Sequence, residues 1–223
     1  MSSKTIVVTG ATGALGTLAA KTFAGMGHNL VLFGKEQLKL DLLVHELNLP
    51  IDRFYAGTVD LLDVQAVRES AQAVVSKFGT VHALFHLVGG WVGGKTFTET
   101  PADDLEFMVN QHIRTTFNLF KTFEGPLSKN GWGRVILVSA STVPSPPGKT
   151  GVYTATKAAQ ENMGLSLAAE LREAGVTVNI IHVRAIDIEN NGKGTTPAEI
   201  VSTMQYLFSD EAGKVTGARI PLF

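Results

Sequence analysis

The stretch Ile6-Val7-Val8-Thr9-Gly10-Ala11-Thr12-Gly13-Ala14-Leu15-Gly16 decides the fold. A short β-branched run leads straight into glycines at three-residue spacing, and the apolar residues after them, from Leu18 to Met26, recur at helical intervals. At a strand-to-helix junction each glycine has a separate task. Gly10 permits the tight turn, Gly13 lets the backbone approach a pyrophosphate, and Gly16 lets helix and strand pack closely. The N–H groups that open the helix then face the anion. The spacing predicts a dinucleotide turn in which Gly10, Thr12, Gly13, Leu15 and Gly16 contact the cofactor. The competing reading is a structural turn that binds nothing.

The rest of the chain repeats this alternation. Strand-like runs occur at Thr5–Thr9, Leu30–Phe33, Arg53–Tyr55, Val81–Val88, Arg134–Ser139, Val176–Val183 and Ala218–Leu222. Helical spacing joins Leu38, Leu42, Leu43 and Leu47, and again Val64, Val67, Ala71, Val74, Val75 and Phe78. A third such series is Leu105, Met108, Val109, His112, Ile113, Thr116, Phe117 and Phe120. Thr100-Pro101-Ala102-Asp103-Asp104 before it predicts a capping threonine, a first-turn proline and acids at the positive end of the helix dipole. Strands that are apolar throughout, with helices between them, imply a parallel sheet covered on both faces. The expected fold is a doubly wound α/β (Rossmann) sheet of about seven strands, forming one domain over residues 1–223. Ligands of such sheets bind beyond the carboxyl ends of the strands, so the loops Gly89–Gly94 and Pro144–Gly151 belong near the site.

Composition narrows the partners. Hydrophobic residues make up 44% of the chain and charged residues 17%, which suits a globular core. A formal net charge of −1 gives no footing for nucleic acid or an anionic membrane. With no cysteine there are no disulfides and no thiolate metal sites. The histidines form no ligand motif, so no metal is expected, and His82 and His86 read as packed within or beside a strand. Met1-Ser2-Ser3-Lys4 leads into too short an apolar run for a signal peptide, and no segment approaches a membrane span. A cytoplasmic protein is expected.

Cofactor choice and chemistry are read further along. An acid at the tip of the second strand would bind the adenosine ribose of NAD and repel the 2′-phosphate of NADP. Here Leu30-Val31-Leu32-Phe33 ends in Gly34-Lys35, with no acid at the tip and a cation after it. Lys35 can meet a phosphate as a point charge, so NADP(H) is preferred over NAD(H). Later, Val152-Tyr153-Thr154-Ala155-Thr156-Lys157 opens a helix, which sets Tyr153 and Lys157 one turn apart on one face. A phenol of pKa about 10 needs about 4 kcal/mol to titrate near neutrality, and a cation at ~4 Å in an effective dielectric of about 20 supplies that order of energy. Tyr153 could then exchange a proton with a carbonyl or alcohol oxygen while hydride moves at the adjacent carbon.

The glycine turn and the Tyr153/Lys157 pair, in this order and at this separation, resemble the short-chain dehydrogenase/reductase family over nearly the whole chain. The resemblance implies an NADP(H)-dependent oxidoreductase that interconverts a carbonyl and an alcohol, with Tyr153 as acid/base and Lys157 also holding the nicotinamide ribose. It further implies that Asp60 and Leu61 lie beside the adenine. Leu87, Val88 and Gly89 would line the cofactor after the fourth strand, and Val183 and Ile186 after the sixth. Asn179 and Asp187 match positions where members often carry those residues. The departures are equally specific. The family's usual Asn-Asn-Ala-Gly is His86-Leu87-Val88-Gly89, its Pro-Gly is Val183-Arg184, and its relay asparagine aligns best with His112. Its catalytic serine falls on Ala140, with Ser139 and Ser141 on either side as substitutes. The segment from Ile188 to Pro197 is short for a substrate lid.

Trp91, His112, Pro144 and Pro146 point to a small apolar or aromatic substrate. Phe107, Phe117, Phe120 and Phe123 cover too much of a helix to face one sheet. Together with the small residues of the Tyr153 helix and the apolar end Ile220-Pro221-Leu222-Phe223, they predict a homodimer or homotetramer. Two other functions stay open. One is a cofactor-binding sensor or scaffold with little catalysis. The other is a sugar-nucleotide enzyme, disfavoured by the short C-terminal region.

Overall fold

The computed structural model describes residues 3–223; Met1 and Ser2, which open the segment read as lacking a leader, lie outside the described residues. The strands are β1 (Thr5–Thr9), β2 (Asn29–Gly34), β3 (Phe54–Thr58), β4 (Ala83–His86), β5 (Gly133–Ala140), β6 (Val176–Val183) and β7 (Arg219–Pro221). They form one parallel sheet in the order β3-β2-β1-β4-β5-β6-β7. The chain winds outward from β1 in one direction and then restarts at β4 on its other side. A crevice therefore opens between the ends of β1 and β4.

The helices are α1 (Ala14–Gly25), α2 (Gln37–Leu47), α3 (Val64–Phe78), α4 (Ala102–Met108), α5 (Thr115–Ser128), α6 (Gly151–Glu170) and α7 (Pro197–Phe208). Alternate strand residues face opposite layers. Ile6, Val8, Leu30, Leu32 and Phe85 pack against α1, α2 and α7. Val7, Val31, Leu84, Val135 and Leu137 pack against α3, α5 and α6. The expected α/β architecture is present.

Several details differ from the sequence reading. Leu38 and Leu42 are exposed, and the inward stripe of α2 is Leu40, Leu43, Val44 and Leu47. The inward residues follow i, i+3, i+4, i+7, whereas the expected set runs i, i+4, i+5, i+9, and the two share Leu43 and Leu47. Of the run Val81–Val88 only Ala83–His86 joins the sheet, and Leu87 and Val88 continue into the crevice. Thr100 does not cap α4: Pro101 takes the cap position, and the Thr100 hydroxyl donates to the Thr96 carbonyl at 2.7 Å. Asp103 and Asp104 do occupy the first turn. Helix α7 was not anticipated, although Thr196 and Glu199 form a reciprocal capping box with Pro197 in the first turn. Between α4 and α5 the backbone widens into a π-helical segment, Val109–Arg114, which carries Gln111 and His112 inward.

Candidate active site

The glycine turn is dictated by backbone crowding. Gly10 adopts φ +67°, a left-handed conformation that side chains resist. A Cβ on Gly16 would stand 2.1 Å from the Gly10 carbonyl oxygen, so no other residue fits there. Gly13 is the N-cap of α1, and its N–H donates to Gly10 O at 3.0 Å. From this turn a cleft of about 360 Å³ runs past Phe33, Gly34, Lys35 and Glu36, with Val59, Leu61, Leu87 and Val88 as apolar walls. Lys35 is exposed on the cleft and makes no ion pair among the described residues. The neighbouring carboxylate of Glu36 accepts from Lys39 at 2.6 Å. A glycine cradle and an apolar slot fit a dinucleotide, and Lys35 stands at the edge of the slot. Asp60 does not line this cleft; its carboxylate accepts from Leu62 N at 2.9 Å and shapes the turn after β3.

Leu87, Val88 and Gly89 also line a second cavity of about 540 Å³, so the two are continuous along the carboxyl edge of the sheet. Its walls include Leu15, Trp91, Ser139, Thr142, Tyr153, Lys157, Val183, Arg184 and Ile186. No acidic side chain lines it. Helix α6 delivers Tyr153 from its first turn and Lys157 from its second. The Lys157 ammonium is 5% exposed and donates to Val138 O and Gln160 Oε1, each at 2.9 Å. Burial pulls it down to about 8, against an opposing pull from Glu161. Burial pushes the Tyr153 phenol up. The cation-lowered phenol expected from the spacing is therefore not what the protein alone presents; the ammonium is engaged by Val138 O of β5 and by Gln160 on its own helix.

The other expected residues fall into distinct settings. Ser139 lines the cavity, but its hydroxyl donates to Glu161 Oε1 at 2.6 Å. Glu161 is fully buried; Arg219 Nε donates to its other oxygen at 2.6 Å, and His182 Nε2 lies 2.9 Å from Oε1. Burial would raise this carboxyl, yet its partners hold it below the ordinary carboxylate range. Ser141 does not line the cavity; its N–H pairs with Val183 O. His112 is fully buried, with its ring edge-on to Tyr153 at 5.6 Å between centroids. Its Nε2 accepts from Gly90 N at 3.4 Å, so Nδ1 carries the proton and meets Thr156 Oγ1 at 2.9 Å. Burial first, and Lys157 second, hold this imidazole neutral with a pKa of about 3. Asn179 bonds Val215 O and Ala218 N and fixes the approach to β7. Asp187 ties the turn at Asn191 and Gly192.

With this geometry in place, comparison with known proteins decides the family. The short-chain dehydrogenase family profile matches residues 4–197. The chain belongs to the short-chain dehydrogenase family. The oxidoreductase UcpA of Escherichia coli (strain K12) is 28% identical over 209 residues, covering 92% of this chain and 78% of that protein. The D-beta-hydroxybutyrate dehydrogenase of Rhizobium meliloti (strain 1021) is 25% identical over 252 residues, covering 99% and 97%. A crystal structure of a Bacillus anthracis short chain dehydrogenase superposes with a TM-score of 0.89 at 22% identity, covering 98% of this chain and 94% of that one. A Serratia marcescens short-chain dehydrogenase/reductase gives 0.87 at 22% identity, covering 98% and 96%. These two structures show the shared fold. This short-chain dehydrogenase is thus placed among oxidoreductases that use nicotinamide dinucleotides.

Three site residues escaped the sequence reading. Gln111 lines the cofactor cleft from the π-helical segment. Gln160 holds Lys157, three residues from it on α6. Thr142 lines the second cavity, and its Oγ1 is buried without a hydrogen-bond partner among the described residues. Thr142 lies two residues beyond Ala140, which gave the one available signal. No group of three or more His, Asp or Glu among the described residues could hold a metal. No helix among them is long and apolar enough to cross a membrane.

Proposed function

We propose that this short-chain dehydrogenase is an NADP(H)-dependent oxidoreductase that interconverts a carbonyl and an alcohol, with Tyr153 as the acid/base. The observation that carries the reading is the continuity of the glycine-turn cleft with the Tyr153–Lys157 cavity through Leu87, Val88 and Gly89. NADP(H), bound along this cleft, supplies or accepts the hydride. Gly10, Thr12, Gly13, Leu15 and Gly16 would hold its pyrophosphate, Lys35 would meet a 2′-phosphate, and Val183 and Ile186 would line the space for its nicotinamide end. The Tyr153 hydroxyl moves the proton. Its raised pKa suits the reducing direction, in which a neutral phenol delivers a proton to the carbonyl oxygen. Lys157 keeps positive charge beside that oxygen. Thr142 takes the place left by Ala140, because a buried hydroxyl without a partner is satisfied when a substrate oxygen accepts from it.

Substrate class follows from the walls. Trp91, Val183 and Ile186 offer apolar surface, and Arg184 and Lys157 are the cations facing a cavity with no acid. An adjoining cavity of about 310 Å³, lined by Val92, Phe97 and Val152, shares Thr150 with it. An apolar or aromatic carbonyl compound, neutral or anionic, fits this lining. The test is a panel of such ketones and aldehydes with NADPH, following cofactor oxidation alongside binding titrations of NADPH and NADH. Turnover of at least one panel member with tighter NADPH binding is expected.

A second reading, a cofactor-binding sensor with little catalysis, draws on the engagement of Ser139 by Glu161 and on the absence of a helix between Ile188 and Thr196. Tight NADPH binding with no turnover across the panel would select it.

A further inference from the structure

A buried polar chain runs from Thr9, at the end of β1, to the Gln160–Lys157 contact, and its members Thr9, His86 and Thr116 have no role described above. Thr9 Oγ1 meets His86 Nδ1 at 2.8 Å, and His86 Nε2 meets Thr116 Oγ1 at 3.0 Å. Gln160 Nε2 donates to the same Thr116 oxygen at 2.8 Å, while Thr116 donates to His112 O at 2.6 Å. Gln160 Oε1 then accepts from Lys157 Nζ at 2.9 Å. Thr9, His86, Thr116, Gln160 and Lys157 are each 5% exposed or less.

Counting protons fixes every orientation. Thr116 has one hydroxyl hydrogen, and it goes to the His112 carbonyl, so both other neighbours must donate to its oxygen. His86 therefore carries its proton on Nε2, and Thr9 donates to Nδ1. Gln160 must turn its amide nitrogen to Thr116, which leaves its carbonyl facing the ammonium. Each link of the chain pairs one donor with one acceptor, and such networks fix side chains in place.

We infer that Gln160, oriented by Thr116 and His86, is a positioning residue that holds Lys157 in the catalytic cavity as an ammonium ion. Val138 O and Gln160 Oε1 are the acceptors, and the Lys157 side chain faces Gly89, whose Cβ would lie 3.7 Å from Nζ. The charged and titratable groups around it are Glu161 and Tyr153 on its own helix, His112 from the π-helical segment and His86 from β4, with Arg184 lining the same cavity after β6. Glu161 favours the charged form, whereas both imidazoles are held neutral and add no competing cation. Removing the Gln160 acceptor leaves burial less opposed, so the ammonium loses its proton at lower pH.

The role of Gln160 in catalysis rests on the proposed function, but its grip on Lys157 is measurable without cofactor or substrate. The pH dependence of Lys157 acetylation by acetic anhydride, read by peptide mass spectrometry on the whole chain, reports the titration of Nζ. In wild type the midpoint is expected near 8. Gln160→Met should lower it by about one unit, a tenfold change in the amine-to-ammonium ratio. Gln160→Glu, which restores an acceptor and adds a charge, should return it to the wild-type value or above. Thr116→Val removes the group that orients the amide and should move it the same way as Gln160→Met, by less; it decides the matter if Gln160→Met does not fold. A midpoint that stays at the wild-type value in folded Gln160→Met, or in Thr116→Val, overturns the inference. A protein with the shifted midpoints that bound neither NADPH nor NADH would keep the positioning role and refute the proposed function instead.

Discussion

Tyr153 and Lys157 sit one helical turn apart, yet in the protein alone the tyrosine is pushed up by burial and the lysine is turned toward Val138 and Gln160. If Tyr153 moves the proton, Tyr153→Phe should cut turnover by about 10²–10⁴-fold, the usual worth of general acid–base catalysis, and leave NADPH affinity near wild type. Lys157→Ala should damage both, and steady-state kinetics paired with binding titrations separate the two patterns. At the other end of the cleft, Lys35 has no carboxylate partner among the described residues, while Glu36 is paired with Lys39. Lys35→Asp should therefore invert the cofactor preference, weakening NADPH by roughly ten- to a hundredfold, the worth of one charge-assisted hydrogen bond. Titrations giving wild type equal or better affinity for NADH would remove the basis of that assignment. The pair and the lysine were legible because each lies within one local stretch of sequence. Gln160 and Thr142 were not, because their meaning depends on what other elements bring against them: Thr116 from α5 for one, the unfilled position at Ala140 for the other.

Elements show the same division. The turn from β1 into α1 could be read from its glycines because its constraint is local: backbone meets backbone across six residues. Gly16→Ala should cost ~3 kcal/mol or more, seen as a fall in the denaturation midpoint or loss of soluble protein, since its methyl would collide with the Gly10 carbonyl. Helix α2 was read with half its stripe wrong, since leucines at neighbouring positions give more than one face with helical spacing, and the choice between them is made by β2 and β3. Helix α6 shows its Tyr153/Lys157 pair but hides its packing. The early turns of its buried face are polar, with Thr156, Lys157, Gln160 and Glu161 buried ahead of Gly164, Leu167 and Ala168, so an apolar-spacing search passes over them. The π-helical segment Val109–Arg114 has no signature in composition, yet it turns His112 and Gln111 inward toward the two halves of the site.

At the scale of the whole molecule, the buried histidines tie stability to pH. Burial holds the partly exposed His82 down to about 4, and the fully buried His86 and His112 to about 3. Above pH ~6.5, the ordinary histidine value, folded and unfolded chains are both neutral at these sites. Below it the unfolded chain takes up protons that the folded one refuses, so stability falls as pH drops from about 6.5 toward the folded values, by up to about 1.4 kcal/mol per pH unit for each histidine. Thermal melts should fall steeply from pH 6.5 to 4; a flat profile would contradict the buried neutral imidazoles. The four phenylalanines of the α4–α5 segment divide as their spacing required: Phe120 and Phe123 are buried, and Phe107 and Phe117 stay about half exposed. Phe120 is therefore not an outward residue. If a second copy covers this face, light scattering should give a dimeric or tetrameric mass, and Phe117→Glu should reduce it to a monomer without loss of fold. Among these tests, one reaches the proposed chemistry most directly: NADPH oxidation by wild type and Tyr153→Phe against a panel of apolar and aromatic ketones and aldehydes, with NADPH affinity measured on both. Turnover in wild type that is lost in Tyr153→Phe at unchanged affinity is the predicted result. Tight binding with no turnover of any carbonyl, or a Tyr153→Phe variant as fast as wild type, would contradict it.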